Sequence, residues 1–228
     1  CNPIEGGSIA GVIATESNEM VEGVEVNLNG EMSMTMVTAT DGSYHFDNLM
    51  TSFDYSVTPY LNTNPLNGVT TFDLVLMSKH VLGTQLLNSP YKLIAADVNR
   101  SGTVTTFDMI QLRKLILNVV TEFSNNTSWR FVETAYSFPQ PTNPWYELFP
   151  ELINENNLAA DIIDADFVGV KIGDVNGSAQ ANALSGDDRT LNGIFNLDVE
   201  NISMKIGNTY TVAVSANELA EGFQGTLA

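Results

Sequence analysis

The run Asp97-Val98-Asn99-Arg100-Ser101-Gly102-Thr103-Val104-Thr105-Thr106-Phe107-Asp108 has the spacing of a twelve-residue calcium loop. Oxygen-bearing side chains fall at loop positions 1, 3 and 5, glycine at the sharp turn of position 6, and a carboxylate at position 12. Calcium is a hard ion that takes about six to eight oxygens, and alternate residues of a tight loop turn theirs inward. The expected ligands are Asp97, Asn99, Ser101, the Thr103 carbonyl, Thr105 (through water if not directly) and Asp108. Asp108 would close the site from the first turn of a following helix. Without a metal, the same residues read as an Asp/Asn-rich turn that caps a helix through Thr105 or Thr106.

Thr105-Thr106-Phe107-Asp108 has an earlier copy, Thr70-Thr71-Phe72-Asp73. Counting back from Asp73 puts Asn62, Asn64 and Leu66 at positions 1, 3 and 5. Leu66 cannot ligate through its side chain and no carboxylate stands in that half, so alone this loop should bind calcium poorly. The missing half is available elsewhere. Asp174-Val175-Asn176 repeats Asp97-Val98-Asn99, and Ser178 falls where Ser101 does. The reading adopted is a split site: Asp174, Asn176 and Ser178 at positions 1, 3 and 5, and the Gly68 carbonyl, Thr70 and Asp73 at positions 7, 9 and 12. One calcium is expected at the contiguous loop and a second at the split one. The alternatives are a metal-free first loop, or a Gly-Asp turn after a strand.

These loops need elements to hold them. After each Thr-Thr-Phe-Asp copy, apolar residues recur at helical spacing: Leu74, Met77, Val81 and Leu82, then Met109, Leu112, Ile116 and Leu117. The spacing predicts two equivalent helices with these residues on the buried face, Lys79 and Lys114 in matching places, and Gly83 as a stop. Residues 8–60 alternate with period two, as in Val24-Val26-Leu28, Met32-Met34-Met36, Tyr44-Phe46 and Phe53-Tyr55-Val57. That predicts antiparallel strands with the methionines as core filling, and a hairpin at Asp41-Gly42. Phe167, Val168, Val170 and Ile172 give a further short strand. Pro139, Pro141, Pro144 and Pro150 make a loop whose Trp145 is expected to pack over the sheet. Residues 179–190 read as a linker. Strands return after Gly193, with Tyr210, Val212 and Val214 alternating.

Composition narrows the function classes. The 228 residues hold 9 Lys+Arg against 27 Asp+Glu, a net charge of −18. Such a chain lacks the positive footprint that nucleic acids require. An apolar share of 43% argues for folded protein. No apolar run is long enough to span a bilayer. Cys1 cannot pair within the chain; it is a free thiol or pairs with a cysteine beyond this window. Asp161, Asp164 and Asp166 read as a solvated acidic face, and His45 and His80 as structural. No nucleophile elbow, phosphate loop or dinucleotide fingerprint is present, so no enzyme is expected.

Gly11-Val12-Ile13, Val21-Glu22-Gly23-Val24-Glu25-Val26, Thr40-Asp41-Gly42-Ser43-Tyr44-His45-Phe46 and Tyr55-Ser56-Val57 resemble a carboxypeptidase-regulatory-like (transthyretin-like, Cna-B-like) β-sandwich module. The duplicated loop-helix over residues 62–120, with Asp rather than Glu at position 12, resembles a type I dockerin. Met204–Val214 and Gly222–Leu227 resemble the opening strands of a cohesin-like sandwich. The fold class expected is mixed and mainly β: a small sandwich at 1–60, a dockerin-like calcium module at 61–180 with 121–166 as an excursion, and a partial sandwich at 190–228. The resemblances imply a non-enzymatic, calcium-stabilised stalk, adhesin or filament part of a secreted bacterial surface protein, partnered by other domains of its chain or by further copies of itself. The rival is a dockerin that docks a cohesin. The dockerin resemblance implies contact residues near positions 10 and 11, here Thr71, Phe72, Thr106 and Phe107. Buried rings would favour the scaffold and exposed rings the docking role.

Overall fold

The structure, a computed structural model, describes residues 6–182, 197–199, 207 and 214–216. The chain divides into two units, Cys1–Asp187 and Asp188–Ala228. In the first, five strands come first: β1 (Gly7–Thr15), β2 (Glu25–Gly30), β3 (Met34–Val37), β4 (Ser43–Leu49) and β5 (Tyr55–Tyr60). Three helices follow, α1 (Thr71–Val81), α2 (Pro90–Ala96) and α3 (Thr106–Ile116), then β6 (Trp129–Glu133), β7 (Ile153–Glu155) and β8 (Phe167–Lys171). The second unit holds a pair, β9 (Leu197–Val199) and β10 (Val214–Ala216), joined antiparallel. The rest of the cohesin-like stretch, Tyr210 and Val212 included, lies outside the described residues.

Two four-stranded sheets form, in the orders β4-β1-β8-β6 and β3-β2-β5-β7. The fold is mixed and mainly β, as expected. The sheets draw strands from both sides of the boundary expected at residue 60. β8 pairs parallel with β1, β6 pairs antiparallel with β8, and β7 pairs antiparallel with β5. Ile9, Ile13, Phe46, Phe131 and Phe167 from one sheet meet Val26, Leu28, Tyr55 and Val57 from the other in one core. Asp161 and Asp166 are not a free acidic face. Asp161 accepts from Ser8 N and Oγ at 2.9 Å, and Asp166 accepts from Val12 N at 2.7 Å, so both fasten the approach to β8 onto β1. His45 stands exposed and pairs with Asp47, while His80 Nδ1 accepts from Leu87 N.

β6 and β8 are buried on both faces, so their charged members Arg130 and Lys171 are buried with them. Val132, Val170 and Ile172 turn away from the first core into a second, with Val69, Met77, Ile94, Val98, Leu112 and Leu115 from the helical region. The helices thus sit on the back of the sheet. The sequence pattern missed α2. It begins at an N-cap, Ser89, whose side chain accepts from Tyr91 N at 3.1 Å, with Pro90 in the first turn.

Other expectations shift in detail. Met32 and Met34 pack against the core, but Met36 stands at the exposed rim. Phe53 is likewise exposed, because β5 begins only at Tyr55. Val81, Leu82 and Leu117 lie outside the core, whereas Met77 and Leu112 are fully buried in it. The start of the expected linker is packed: Ala179 and Ala181 are buried, and Glu22 N donates to Ala181 O at 3.2 Å.

Phe167 lies in the shared core on the strand that joins early and late halves of the chain. Phe167→Ala should destabilise the first unit by about 3–5 kcal/mol in a single cooperative transition. Chemical denaturation followed by far-ultraviolet dichroism checks this. Two separate transitions, with only one shifted, would contradict the shared core.

Candidate metal centre

The two Thr-Thr-Phe-Asp copies build the same local structure. Thr70 and Thr105 are N-caps with extended backbone, and each accepts from the N–H two residues on, Phe72 and Phe107, at 3.2 Å. The aspartate three residues after each cap reaches back. Asp73 Oδ2 accepts from Thr70 N at 2.8 Å, and Asp108 Oδ2 from Thr105 N at 2.9 Å. These are capping boxes with Asp in place of the usual Glu. The helix ends match as well. Gly83 (φ 68°) and Asn118 (φ 54°) take the left-handed conformation after α1 and α3, and Thr84 N and Val119 N donate back to Lys79 O and Lys114 O.

Capping uses one oxygen of each aspartate, and the other faces the loop. Asp108 Oδ1 accepts from Asn99 N at 3.1 Å. Asp97 opens the loop: its Oδ1 accepts from Ser101 N and its Oδ2 from Gly102 N, both at 2.8 Å. Ser101 Oγ donates to the Thr103 carbonyl at 3.2 Å, and Asn99 Oδ1 accepts from Ser101 N at 3.0 Å. Arg100 and Gly102 have positive φ, 56° and 78°, which lets the loop wrap tightly. Every expected ligand of the contiguous loop is therefore gathered in one turn.

Partners that the sequence did not signal fix this loop in place. Buried Asn126 donates through Nδ2 to the Asp97 and Val98 carbonyls at 3.1 and 3.3 Å. Arg100 pairs with Glu151 at 2.7 Å, and Glu151 also holds Arg130. Trp145, expected over the sheet, stands against Gly102, so the proline-rich loop leans on the 97–108 loop.

The first repeat makes its contacts with the segment after β8 rather than with the residues just before it. Asn62 is engaged elsewhere, accepting from Ser128 N at 2.9 Å. Asp73 Oδ1 instead accepts from Val175 N at 3.0 Å, 102 residues along the chain. Ser178 Oγ donates to Gly68 O at 2.9 Å. Asp174 accepts through Oδ1 from Gly177 N and Ser178 N, and through Oδ2 from Ala179 N at 2.7 Å. The structure thus brings Gly68, Thr70 and Asp73 together with Asp174 and Ser178.

Asp73, Asp97, Asp108 and Asp174 are all buried. Burial pushes the Asp73 carboxyl up, and the Asp174 charge adds to it. Burial likewise pushes Asp97 up, and the Asp108 charge adds to it. Among the described residues, no salt bridge engages any of the four. Pairs of buried carboxylates without a bonded cation, ringed by neutral oxygens, suit a hard divalent ion. No three His, Cys, Asp or Glu side chains converge among the described residues, so two carboxylates per loop carry all the ligand charge.

Residues 67–117 match the model of the dockerin type I domain. The match covers both Thr-Thr-Phe-Asp copies and the contiguous loop, but stops short of Asp174. No curated protein matches the chain, and no solved structure does.

The raised carboxyls fix a sign. A folded-state value above the ordinary 3.8 means that Asp73 and Asp97 each bind their proton more tightly in the metal-free fold than in the unfolded chain. Their contribution to stability is highest below that value and falls as pH rises through the shifted one. In chelator, melting temperature should therefore rise as pH drops from neutral towards about 4. The rise should shrink in Asp73→Asn/Asp97→Asn. An equal pH slope in wild type and double variant, measured by scanning calorimetry, would contradict the assignment.

Proposed function

We propose that residues 67–117, with the elements that complete them, form a calcium-ordered, non-catalytic docking module of an extracellular protein, and that its partner is a cohesin-type β-sandwich. The carrying observation is an exposed apolar ridge repeated on both helices. Phe72 and Phe107 are 54% and 69% exposed, and Val75 and Ile110 are about half exposed. Leu82 and Leu117 follow at the helix ends, at 72% and 59%. Each pair occupies equivalent positions of the repeat. Large apolar groups held on the outer face of rigid helices suit a buried protein interface. Lys79 and Lys114 stand between them and would set orientation rather than affinity.

Calcium has a definite part in this reading. Asp97, Asn99, Ser101, Thr103, Thr105 and Asp108 would hold the ion, which neutralises the carboxylate pair at the base of α3. Sites with few charged ligands bind at about 10⁻⁴–10⁻³ M, which is sufficient outside cells. Occupancy adds stability to the folded form alone.

A second reading, a calcium-stabilised structural or adhesive segment, is favoured by one observation. The helices are packed on β6 and β8, which also belong to the sandwich sheet, so the module is embedded rather than hung from a linker.

The test is surface plasmon resonance against cohesin-type domains in millimolar calcium and in chelator. Docking predicts calcium-dependent binding, weakened at least about thirtyfold in Phe72→Ala/Phe107→Ala, because aromatic anchors typically carry about 2 kcal/mol or more. No calcium-dependent binding to any cohesin-type domain, with calcium still raising the melting temperature, would leave the structural reading in its place.

A further inference from the structure

We propose that residues 134–152 form a strap that holds the 97–108 loop in its ion-binding shape before any ion arrives, with Arg100 and Glu151 as the positioning residues. The strap lies outside the span matched by the dockerin domain. The proposal rests on the reading that this loop takes calcium, and its test separates the two.

The strap is itself anchored. Thr134 N donates to Asp166 O at 2.9 Å and Glu133 N to Pro150 O at 3.2 Å, so its two ends meet at the end of β6. Inside it, the Phe138 ring lies 5.0 Å from that of Tyr136 and 5.9 Å from that of Phe149, between centroids. Phe138 also meets Tyr91 edge-on at 5.6 Å. Tyr91 belongs to α2, which runs directly into Asp97. The strap therefore grips the helix that delivers the first residue of the loop.

It also reaches the loop itself. Trp145 stands 3.7 Å from where a Cβ on Gly102 would lie. Glu151 Oε2 accepts from Arg100 Nη2 at 2.7 Å. Glu151 is fixed from behind by a bidentate pair, since its Oε1 and Oε2 accept from Arg130 Nε and Nη2 at 2.8 and 2.9 Å. Arg130 is buried on β6, and its guanidinium lies 4.9 Å from the centroid of the Phe149 ring. Arg100 is thus tied to the sheet through one carboxylate.

The backbone of Arg100 points to a function for this tie. Its φ is 56°, in the left-handed region that is unfavourable for a long side chain. The matching segment Asp174–Ser178 has glycine in that place, Gly177, with φ 74°. Such strain persists where the surroundings enforce it. A positive charge beside carboxylates that would hold a divalent ion is unfavourable as well. Both costs have a reason if the side chain sets the backbone between Asn99 and Ser101, whose oxygens are candidate ligands. A loop already held closed loses less freedom on binding, which raises affinity.

The test is a double-mutant cycle on the full chain, with calcium affinity read by calorimetry. Asparagine replaces Arg100 because it tolerates positive φ. Acting as a tether, Arg100→Asn and Glu151→Gln should each weaken calcium binding by about threefold or more, and the double variant should be no weaker than the singles. Acting only as charges, Arg100→Asn would strengthen binding, Glu151→Gln would weaken it, and the double variant would return close to wild type. That pattern, or an unchanged affinity in Arg100→Asn, would overturn the strap. Amide exchange in chelator gives a second readout. The N–H groups of Ser101 and Gly102, which donate to Asp97, should exchange at least about threefold faster in both variants, with β1 and β5 unchanged. Equal exchange at Ser101 and Gly102 in wild type and variants would also overturn the strap. No calcium binding by wild type at millimolar concentration would overturn the calcium reading of the loop, and this proposal with it.

Discussion

Two pairs of buried carboxylates, Asp73 with Asp174 and Asp97 with Asp108, set the terms for the rest of this structure. Burying like charges together is unfavourable unless donors and a cation compensate. The fold supplies the donors first. Backbone N–H groups of the loops and Thr caps point at all four side chains. Positive-φ residues at Gly68, Arg100 and Gly102 let the backbone turn tightly enough to do so. The helix starts that follow add a favourable dipole for an acidic first turn. The remaining charge is what a divalent ion would neutralise.

The sheets explain why the helices stay where the loops need them. β6 and β8 face the sandwich core on one side and the helical core on the other. Asp174 follows three residues after β8 ends at Lys171, so the sheet delivers it to the capped start of α1. Lys171 itself is buried, donating to Pro65 O at 2.8 Å, and desolvation pulls its ammonium down to about 7. Packing the inner helix faces against the sheet leaves the outer faces free, and there the repeat displays Phe72 and Phe107. Helices packed on a sheet that hold apolar side chains outward are what supports the docking proposal over a passive spacer.

How much of this the sequence revealed depended on locality. The contiguous loop was legible because its candidate ligands follow one another and its glycine marks the turn. The approach of residues 68–73 to 174–178 was legible only as two matching fragments, since nothing in a sequence states that residues 68 and 179 touch. α1 and α3 followed from the repeat. α2 spans seven residues, too short for periodicity, although Ser89-Pro90 was a usable start signal. Helical spacing placed Leu82 and Leu117 in the core, yet both lie exposed, because periodicity defines a stripe without saying what covers it. The parallel pairing of β8 with β1 joins residues far apart in the chain. No local pattern encodes it, so the first sheet appeared to end near residue 60.

The most direct test of the central claim is an anomalous-scattering map from crystals of the full chain soaked in a lanthanide that substitutes for calcium. The account predicts a peak between Asp97 and Asp108, about 2.3–2.6 Å from its nearest oxygens. A map with no density there would contradict it.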